Sequence, residues 1–363
     1  MIYLDYQATT PLAPEARDAM LPWLEGPGGT GFGNPHSAHK LGRSAAAAVS
    51  LARDQVAALL PPGGQLIFTG SATEALNMVL QGSTGDVLTF ATEHAAVLDC
   101  EEPLRKAKRG FEILPVTRSG QADCESLRDA ITPGTGVIAA MLVNNEIGTI
   151  NPLEEIAAAA READALVLCD AVQAFGRIVI PDCVDAVAIS AHKIHGPKGI
   201  GALWLRDGVE VEPLIFGGGQ EQGLRSGTLS PALCAGFGAA AKLATKRMEQ
   251  DAAHVEKLWT LARDLFADWE LNGSENERWK GNLNIRKPGL DVARLMSDCR
   301  EICFSAGSAC ASGSGRPSHV LRAIGLSDKN AKSSVRLGFG RYTTPDEITR
   351  AAEAINAAAA NQE

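Results

Sequence analysis

The chain has 363 residues, of which 45% are hydrophobic and 21% charged, and its formal net charge is −9. This length is sufficient for a sizeable buried core in one large domain or in two. The sequence is acidic and has no concentrated basic stripe, which argues against binding to nucleic acid or to an anionic membrane surface.

The start of the chain and its cysteines predict a cytoplasmic protein. Residues 1–10 lack the basic and apolar segments of a signal peptide, and no apolar run is long enough to span a bilayer. The eight cysteines include no CxxC pair and match no zinc or iron–sulfur spacing. We therefore expect reduced thiols and no resident metal.

In chain order, short apolar runs alternate with helical patterns. The predicted strands are 65–68, 86–91, 111–116, 136–143, 165–169, 184–189 and 201–205. The predicted helices are 71–81, 153–163 and a long Ala-rich segment at about 230–268. This alternation predicts an α/β fold, in which a mainly parallel sheet is covered by helices on both faces.

The pattern also predicts two structural units. We assign residues 14–250 to a large α/β domain. We assign residues 1–13 and 251–363 to a smaller α+β domain, which carries a Gly/Ser-rich segment at 305–315 that we expect to be a mobile loop.

Polar residues follow five of the predicted strands. Ligands of open parallel sheets bind beyond the carboxyl ends of the strands, so these residues predict an active site. They are Thr73, His94, Asn145, Asp170, Gln173, Ser190, His192 and Lys193.

Lys193 directly follows an apolar strand, where burial would favour its neutral, nucleophilic form and Schiff-base chemistry. The alternative is a lysine with a buried stem and a solvated head. Asp170 is suited either to pair with a protonated ring nitrogen of a cofactor or to cap a helix.

The segment TGSATEA at 69–75 is suited to binding a phosphate at a helix N-terminus, but it also fits a plain cap by Ser71 or Thr73. His94 is the best acid–base candidate, with a hydrogen-bonded core histidine as the alternative. The other histidines are interpreted as structural or surface residues: His36, His39, His195, His254 and His319.

The motifs together resemble a known family nearly end to end. They are YLDYQATTP (3–11), GNPHSAHKLGR (33–43), TGSATEA (69–75), EHAAVL (93–98), VNNEIGTINP (143–152), DAVQ (170–173), SAHKIHGPKGIGAL (190–203), GGGQEQGLRSGT (217–228), SAGSACASG (305–313), PSHVLRAIGL (317–326) and VRLGFGRYTT (335–344). The chain resembles the cysteine desulfurases of the nitrogen-fixation and iron–sulfur-assembly type, in the class V aminotransferase group of fold type I pyridoxal-phosphate enzymes. The resemblance implies a seven-stranded-type sheet and a cytoplasmic homodimer.

The resemblance also implies roles for residues around the cofactor pyridoxal 5′-phosphate. Lys193 would carry the cofactor covalently, Asp170 would pair with its pyridine nitrogen, Gln173 would bind its phenolic oxygen, and His94 would stack on the ring. The residues implied around the phosphate and the rest of the cofactor are Ala72, Thr73, Asn145, Ser190, His192 and, from the other subunit of the dimer, Thr228.

For the substrate, L-cysteine, the resemblance implies a carboxylate site at Asn145 and Arg336, with Asn34 nearby. A guanidinium matches a carboxylate in two hydrogen bonds, whereas a surface ion pair is the alternative for Arg336. Cys310 would be the nucleophile that receives sulfur as a persulfide, passes it to an acceptor protein, and could transiently bind an iron–sulfur cluster. A thiol in a Gly/Ser-rich segment is accessible enough for this chemistry.

Three other functions are open at the level of the sequence. A selenocysteine lyase or another class V lyase or aminotransferase would need Lys193 and Asp170 but no loop cysteine. A non-catalytic carrier of pyridoxal phosphate or of a persulfide would release no alanine. A nucleotide-binding α/β protein is disfavoured because no GxGxxG follows a strand and no Walker A pattern occurs.

Overall fold

The computed structural model describes residues 1–306 and 317–362. Within them lie twelve strands and twelve α-helices. The strands are β1 (Ile2–Tyr3), β2 (Gly64–Thr69), β3 (Asp86–Phe90), β4 (Phe111–Leu114), β5 (Thr135–Met141), β6 (Leu166–Asp170), β7 (Ala186–Ser190), β8 (Gly201–Arg206), β9 (Glu270–Leu271), β10 (Asn282–Arg286), β11 (Ile302–Cys303) and β12 (Ser334–Gly338). The helices are α1 (Pro14–Met20), α2 (Lys40–Ala57), α3 (Ala72–Gly82), α4 (Ala95–Leu98), α5 (Glu101–Lys106), α6 (Cys124–Ala130), α7 (Leu153–Arg161), α8 (Pro231–Leu265), α9 (Val292–Asp298), α10 (His319–Ala323), α11 (Asp328–Lys332) and α12 (Pro345–Ala360).

The central sheet has seven strands in the order β2-β8-β7-β6-β5-β3-β4. Only β8 runs antiparallel to its neighbours, and the other pairings in this sheet are parallel. The carboxyl ends of β3, β5, β6 and β7 therefore meet at one edge, as the sequence predicted. The α/β fold class with a mainly parallel sheet is confirmed.

Helices cover both faces of this sheet. Along β5, Val137 and Ala139 belong to the apolar cluster that includes α3, α4 and α5. Ile138 and Ala140, which point to the opposite face, belong to the cluster formed with α2, α7 and α8. Burial on both faces explains why these strands are continuous apolar runs without polar alternation.

The two ends of the chain meet in smaller sheets. β1 pairs in parallel with β11, and β9, β10 and β12 form an antiparallel sheet. Single bridges from Asp5 to Gly338 and from Ser305 to Arg336 join these two sheets. α8 continues without interruption across residue 250, so the predicted division at 250 and 251 has no break in secondary structure there and stays a prediction.

Candidate active site

A cavity of about 750 Å³ lies at the edge of the central sheet where the parallel strands end. Its lining includes most of the residues predicted from the strand ends and motifs: Ala72, Thr73, His94, Asn145, Asp170, Gln173, Ser190, His192, Lys193 and Arg336. Strand direction brings most of these residues together, because a side chain that follows one parallel strand lies beside those that follow its neighbours, whereas Arg336 reaches the cavity from β12 of the smaller antiparallel sheet.

Two predicted residues lie outside this lining. Asn34 and Thr228 are both exposed and do not border the cavity. The role predicted for Thr228 concerns another subunit, so this chain alone does not test it. Cys310 lies in 307–316, outside the described residues.

Lys193 enters the cavity from a short 3₁₀ turn, Ala191–Lys193, that follows β7. Its Nζ donates to the carbonyl oxygens of Gln7 at 2.5 Å and Ala8 at 2.9 Å. Burial lowers the pKa of Lys193 to about 8, and the nearby guanidinium groups of Arg177 and Arg336 act in the same direction. At pH 7 about one tenth of this amine is therefore uncharged and nucleophilic, far more than for a lysine with an ordinary pKa.

Asp170 is the last residue of β6 and is 7% exposed. Its Oδ1 accepts a hydrogen bond from the main-chain N–H of Val172 at 2.9 Å. Burial raises the pKa of Asp170, while His94 and Lys193 oppose that shift. A positively charged group brought into the cavity would favour the carboxylate form.

His94 caps the start of α4, and its Nδ1 accepts from the main-chain N–H of Ala96 at 3.0 Å. The proton of a neutral ring is therefore on Nε2, which is the ring nitrogen left for a ligand. Beside Lys193, burial lowers the pKa of His192 to about 4, and its Nδ1 lies 3.1 Å from Thr9 Oγ1. His192 is consequently neutral at pH 7 and acts through hydrogen bonding alone.

The turn before α3 combines both interpretations of the TGSATEA motif. Ser71 Oγ accepts from Glu74 N at 3.2 Å and so caps the helix, while Ala72 and Thr73 line the cavity. The N–H groups of a first helical turn have no partner within the helix and favour an anion. Gly201 of β8 allows close approach here, because a Cβ at that position would lie 2.6 Å from the carbonyl carbon of Ser71.

Arg336, on β12, is 1% exposed, which rules out the surface ion pair considered above. Its Nη1 donates to Asn145 O at 2.9 Å, and its Nη2 donates to Asp5 Oδ1 at 2.8 Å. Nη2 also lies 3.3 Å from Ser305 Oγ. Nε is buried and has no hydrogen-bond partner in residues 1–306 and 317–362, so a donor is left for an incoming carboxylate.

Several residues that line the cavity were not selected as site residues from the sequence. His319, interpreted as structural or surface, borders the cavity, and its Nε2 lies 2.9 Å from Glu93 O. Glu146 also lines the cavity and accepts a short hydrogen bond from Ser318 Oγ. Both residues lie within the quoted motifs VNNEIGTINP and PSHVLRAIGL, which was the available signal. Gln7 also lines the cavity and lies within the quoted motif YLDYQATTP, but it contacts Lys193 through its main-chain oxygen, which its residue type does not indicate.

The donor set fits pyridoxal phosphate. Four groups face one space of about 750 Å³. The amine of Lys193 suits the aldehyde carbon of the cofactor, and the buried carboxyl of Asp170 suits the pyridine nitrogen. The imidazole of His94 suits the ring face, and the N-terminus of α3 suits the phosphate. No cluster of three or more potential metal ligands occurs in the described part of the chain.

Comparison with known proteins places the chain in a family. Residues 2–351 match the family described as Aminotransferase class-V, and the chain belongs to that family. It is 41% identical to the Cysteine desulfurase IscS of Rickettsia bellii over 98% of this chain and 90% of that protein. It is 42% identical to the Rickettsia typhi protein of the same name, with the same coverage.

Solved structures agree with this assignment. A NifS-like protein from Rickettsia africae superposes with a TM-score of 0.89 and 29% identity, and the match covers 99% of each chain. A structure titled SspA in complex with cysteine gives a TM-score of 0.83 with 32% identity, covering 95% of this chain and all of that one. Within the described residues, no helix has both the length and the apolar character needed to cross a membrane.

Proposed function

We propose that the protein is a pyridoxal-phosphate-dependent cysteine desulfurase, which converts L-cysteine to L-alanine and leaves the sulfur as a persulfide on Cys310. The observation that carries the proposal is the meeting of Lys193 Nζ, the Asp170 carboxyl and the Arg336 guanidinium in one cavity. The identity to proteins named cysteine desulfurase, over almost the whole chain, supports the choice of reaction.

In this proposal the described residues hold the cofactor at fixed points. Lys193 would bind it covalently through Nζ, Asp170 would keep a proton on the pyridine nitrogen, Gln173 would donate to the phenolic oxygen, and His94 would cover one ring face. The phosphate would be bound by the first turn of α3 and by the side chains of Thr73, Ser190 and His192, with the partner subunit's Thr228 completing the site in a homodimer. When bound, pyridoxal phosphate supplies an electron sink for negative charge at the substrate α-carbon.

The substrate carboxylate would bind at Arg336 and Asn145, and Asn34, which does not border the cavity of this chain, is a further candidate. The ion pair with Asp5 and the hydrogen bond to Asn145 O fix the guanidinium plane before substrate arrives. A fork fixed in this way binds a carboxylate without losing further rotamer freedom. It would hold the α-carbon of the amino acid within reach of Lys193.

Proton and sulfur transfer would then use two side chains. Once the substrate amine has displaced it from the cofactor, Lys193 Nζ, whose pKa as a free amine lies near 8, would accept the α-proton and return a proton to the carbon skeleton. Sγ of Cys310 would form a bond to the substrate sulfur as the substrate Cβ–S bond breaks and a Cβ–H bond forms. L-Cysteine and one enzyme thiol thus become L-alanine and one enzyme persulfide, and no external oxidant is needed.

The other cysteines support the choice of Cys310. Seven cysteines are described, and all are free thiols: Cys100, Cys124, Cys169, Cys183, Cys234, Cys299 and Cys303. Burial raises the pKa of six of them, namely Cys100, Cys124, Cys169, Cys183, Cys234 and Cys299. A raised pKa lowers the amount of thiolate, the form that attacks sulfur.

The decisive experiment compares the wild type with Cys310→Ser and the control Cys183→Ser. We expect wild type and the control to show the absorbance of bound pyridoxal phosphate and to release alanine from L-cysteine. Cys310→Ser should bind the cofactor equally but release no alanine and form no persulfide detectable by mass spectrometry. Undiminished alanine release by Cys310→Ser would overturn the role of that thiol.

The same assay separates the alternative functions. A keto acid in place of alanine would identify an aminotransferase, and alanine from selenocysteine but not from cysteine would identify a selenocysteine lyase. Bound cofactor without any product would identify a carrier. For the desulfurase, we further propose a cytoplasmic location and a sulfur-acceptor protein as partner, consistent with the free thiols.

A further inference from the structure

Arg177 lies behind Lys193 in the turn after β6, is partly buried, and borders a second, smaller cavity. Its hydrogen-bond partners in residues 1–306 and 317–362 are neutral oxygens. Nη1 donates to Gln173 Oε1 at 2.6 Å and to Gln173 O at 3.1 Å, and Nη2 donates to Lys193 O at 2.7 Å. Its guanidinium carbon lies 5.9 Å from the centre of the Trp279 ring. One partly buried cation therefore joins two residues of the proposed cofactor site.

This contact determines which end of the Gln173 amide faces which neighbour. A guanidinium only donates, so the amide atom beside Arg177 must be the oxygen. The carbonyl oxygen of Gln7 only accepts, so the atom 3.0 Å from it must be the amide nitrogen. An amide nitrogen carries two hydrogens, and with one on Gln7 O the second is left for an acceptor in the cavity.

We propose that Arg177 is a positioning residue, which holds the Gln173 amide with its N–H donors toward the cavity and fixes the main chain that carries Lys193. The proposal rests on the proposed function, in which Gln173 donates to an oxygen of the cofactor. Without Arg177, the amide could rotate and present its oxygen to that negatively charged acceptor. Lys193 would also lose the hydrogen bond that anchors its carbonyl group.

The charge of Arg177 acts on the amine of Lys193 as well. The charged groups near Lys193 are Arg177 and Arg336, which lower its pKa, and Asp170 and Asp5, which raise it. His192, also adjacent, is neutral near pH 7. Arg177 has no ionic partner among its hydrogen-bond partners, so its charge acts on the lysine without local neutralisation. Removing it should therefore raise the pKa of Lys193.

The test compares Arg177→Met and Arg177→Lys with the wild type, and Arg278→Met serves as a matched control. Arg278 is more deeply buried than Arg177, donates to the carbonyl oxygens of Ser274, Ile147 and Asn282, and lies 5.7 Å from the ring centre of Trp259. Burial lowers the pKa of both arginines to about 10. Only Arg177, however, contacts Gln173 and Lys193.

The first readout needs no bound cofactor. The Lys193 amine of the folded apoprotein is acetylated at a series of pH values, and the modified peptide is quantified by mass spectrometry. For Arg177→Met we expect the midpoint of the reactivity profile to rise, which lowers the unprotonated fraction at pH 7 about tenfold for each unit of the rise. Arg177→Lys, which keeps the charge, should titrate close to wild type, and Arg278→Met should not differ from it.

The second readout tests the orientation of the Gln173 side-chain amide. In the holoenzyme, the pH midpoint of the cofactor's visible absorbance should rise in Arg177→Met, and also in Arg177→Lys because one ammonium cannot bind both Gln173 and Lys193. When both proteins also carry Gln173→Ala, the absorbance midpoint of the protein with Arg177 and that of the protein with Arg177→Lys should nearly coincide. Loss of kcat at neutral pH should be recovered at higher pH, with KM changed less than about twofold.

Two outcomes would overturn the proposal: wild-type profiles for Arg177→Met in both readouts, or equal shifts for Arg278→Met. If Arg177→Met does not fold, the absorbance midpoint of Arg177→Lys is compared with and without Gln173→Ala. A wild-type midpoint for Arg177→Lys, or a shift that Gln173→Ala leaves unchanged, would then overturn the proposal. Failure of the proposed function would be seen differently, as a wild-type protein that takes up no pyridoxal phosphate or releases no alanine.

Discussion

Replacing Arg336 by lysine keeps a positive charge at the proposed carboxylate site but removes the planar set of donors. In the structure, separate nitrogens of the guanidinium reach Asn145 O at 2.9 Å and Asp5 Oδ1 at 2.8 Å. A single ammonium nitrogen cannot occupy both positions and also face a substrate. Arg336→Lys should therefore weaken substrate binding more than it weakens the fold.

The magnitude follows from the bonds that are lost. Loss of one hydrogen bond between charged groups costs about 1.5–3 kcal/mol. Since 1.4 kcal/mol corresponds to a factor of ten, kcat/KM for L-cysteine should fall about 10- to 150-fold. Most of this effect should appear in KM, because the carboxylate is bound in both the ground state and the transition state.

The assay measures alanine release over a range of L-cysteine concentrations, together with urea unfolding of each protein. Arg341→Lys is the matched control: Arg341 is also buried, its Nε lies 2.7 Å from Asp251 Oδ2, and it does not line the large cavity. We expect the control to lose stability but to keep its KM. A wild-type KM for Arg336→Lys in a folded protein would refute the assignment of the carboxylate to this arginine.

Three further predictions concern titration and helix capping. Because the pKa of Lys193 is lowered to about 8, capture of pyridoxal phosphate by the apoprotein should accelerate about tenfold per pH unit below 8 and level off above it; a rise that continued to pH 10 would contradict this. Glu93 is fully buried, which raises its pKa well above the usual range, so the folded state keeps a proton that the unfolded state releases above its ordinary pKa of 4.5. Between pH 4.5 and the raised pKa of the folded state, the free energy of unfolding should therefore fall by up to about 1.36 kcal/mol per pH unit. Glu93→Gln should remove this slope. Equal slopes of unfolding free energy against pH for the two proteins, measured with urea, would refute the prediction. Ser71→Ala, which removes the cap of α3, should cost about 1 kcal/mol in urea unfolding and raise the Kd for pyridoxal phosphate, whereas Ser71→Thr should largely retain both.

Much of the fold could be predicted because the strands are chemically distinct from their surroundings. All seven predicted strands occur in the central sheet, and β7 is buried at every position. The order of the strands could not be predicted, since pairing depends on contacts between residues far apart in sequence. The antiparallel direction of β8 is one example: its residues are as deeply buried and as apolar as those of the strands that pair in parallel.

The residues of the candidate site likewise include some that the sequence identifies and some that only tertiary packing places there. Side chains with unusual chemistry after a strand, such as Lys193 and Asp170, could be identified from residue type and position alone. His319 could not, because its position at the cavity depends on how α10 packs against the end of β3.

The sequence by itself determined which segments are strands and helices and which residue types follow the strands, because apolar periodicity and side-chain chemistry are local properties. Only the tertiary structure decided what those residues contact. The Lys193 amine binds main-chain oxygens of Gln7 and Ala8, more than 180 positions earlier in the chain, and Arg177 joins Gln173 to Lys193 from behind. Main-chain carbonyl groups are the same in every residue, so no sequence pattern records such contacts, and only the folded chain brings them within hydrogen-bonding distance.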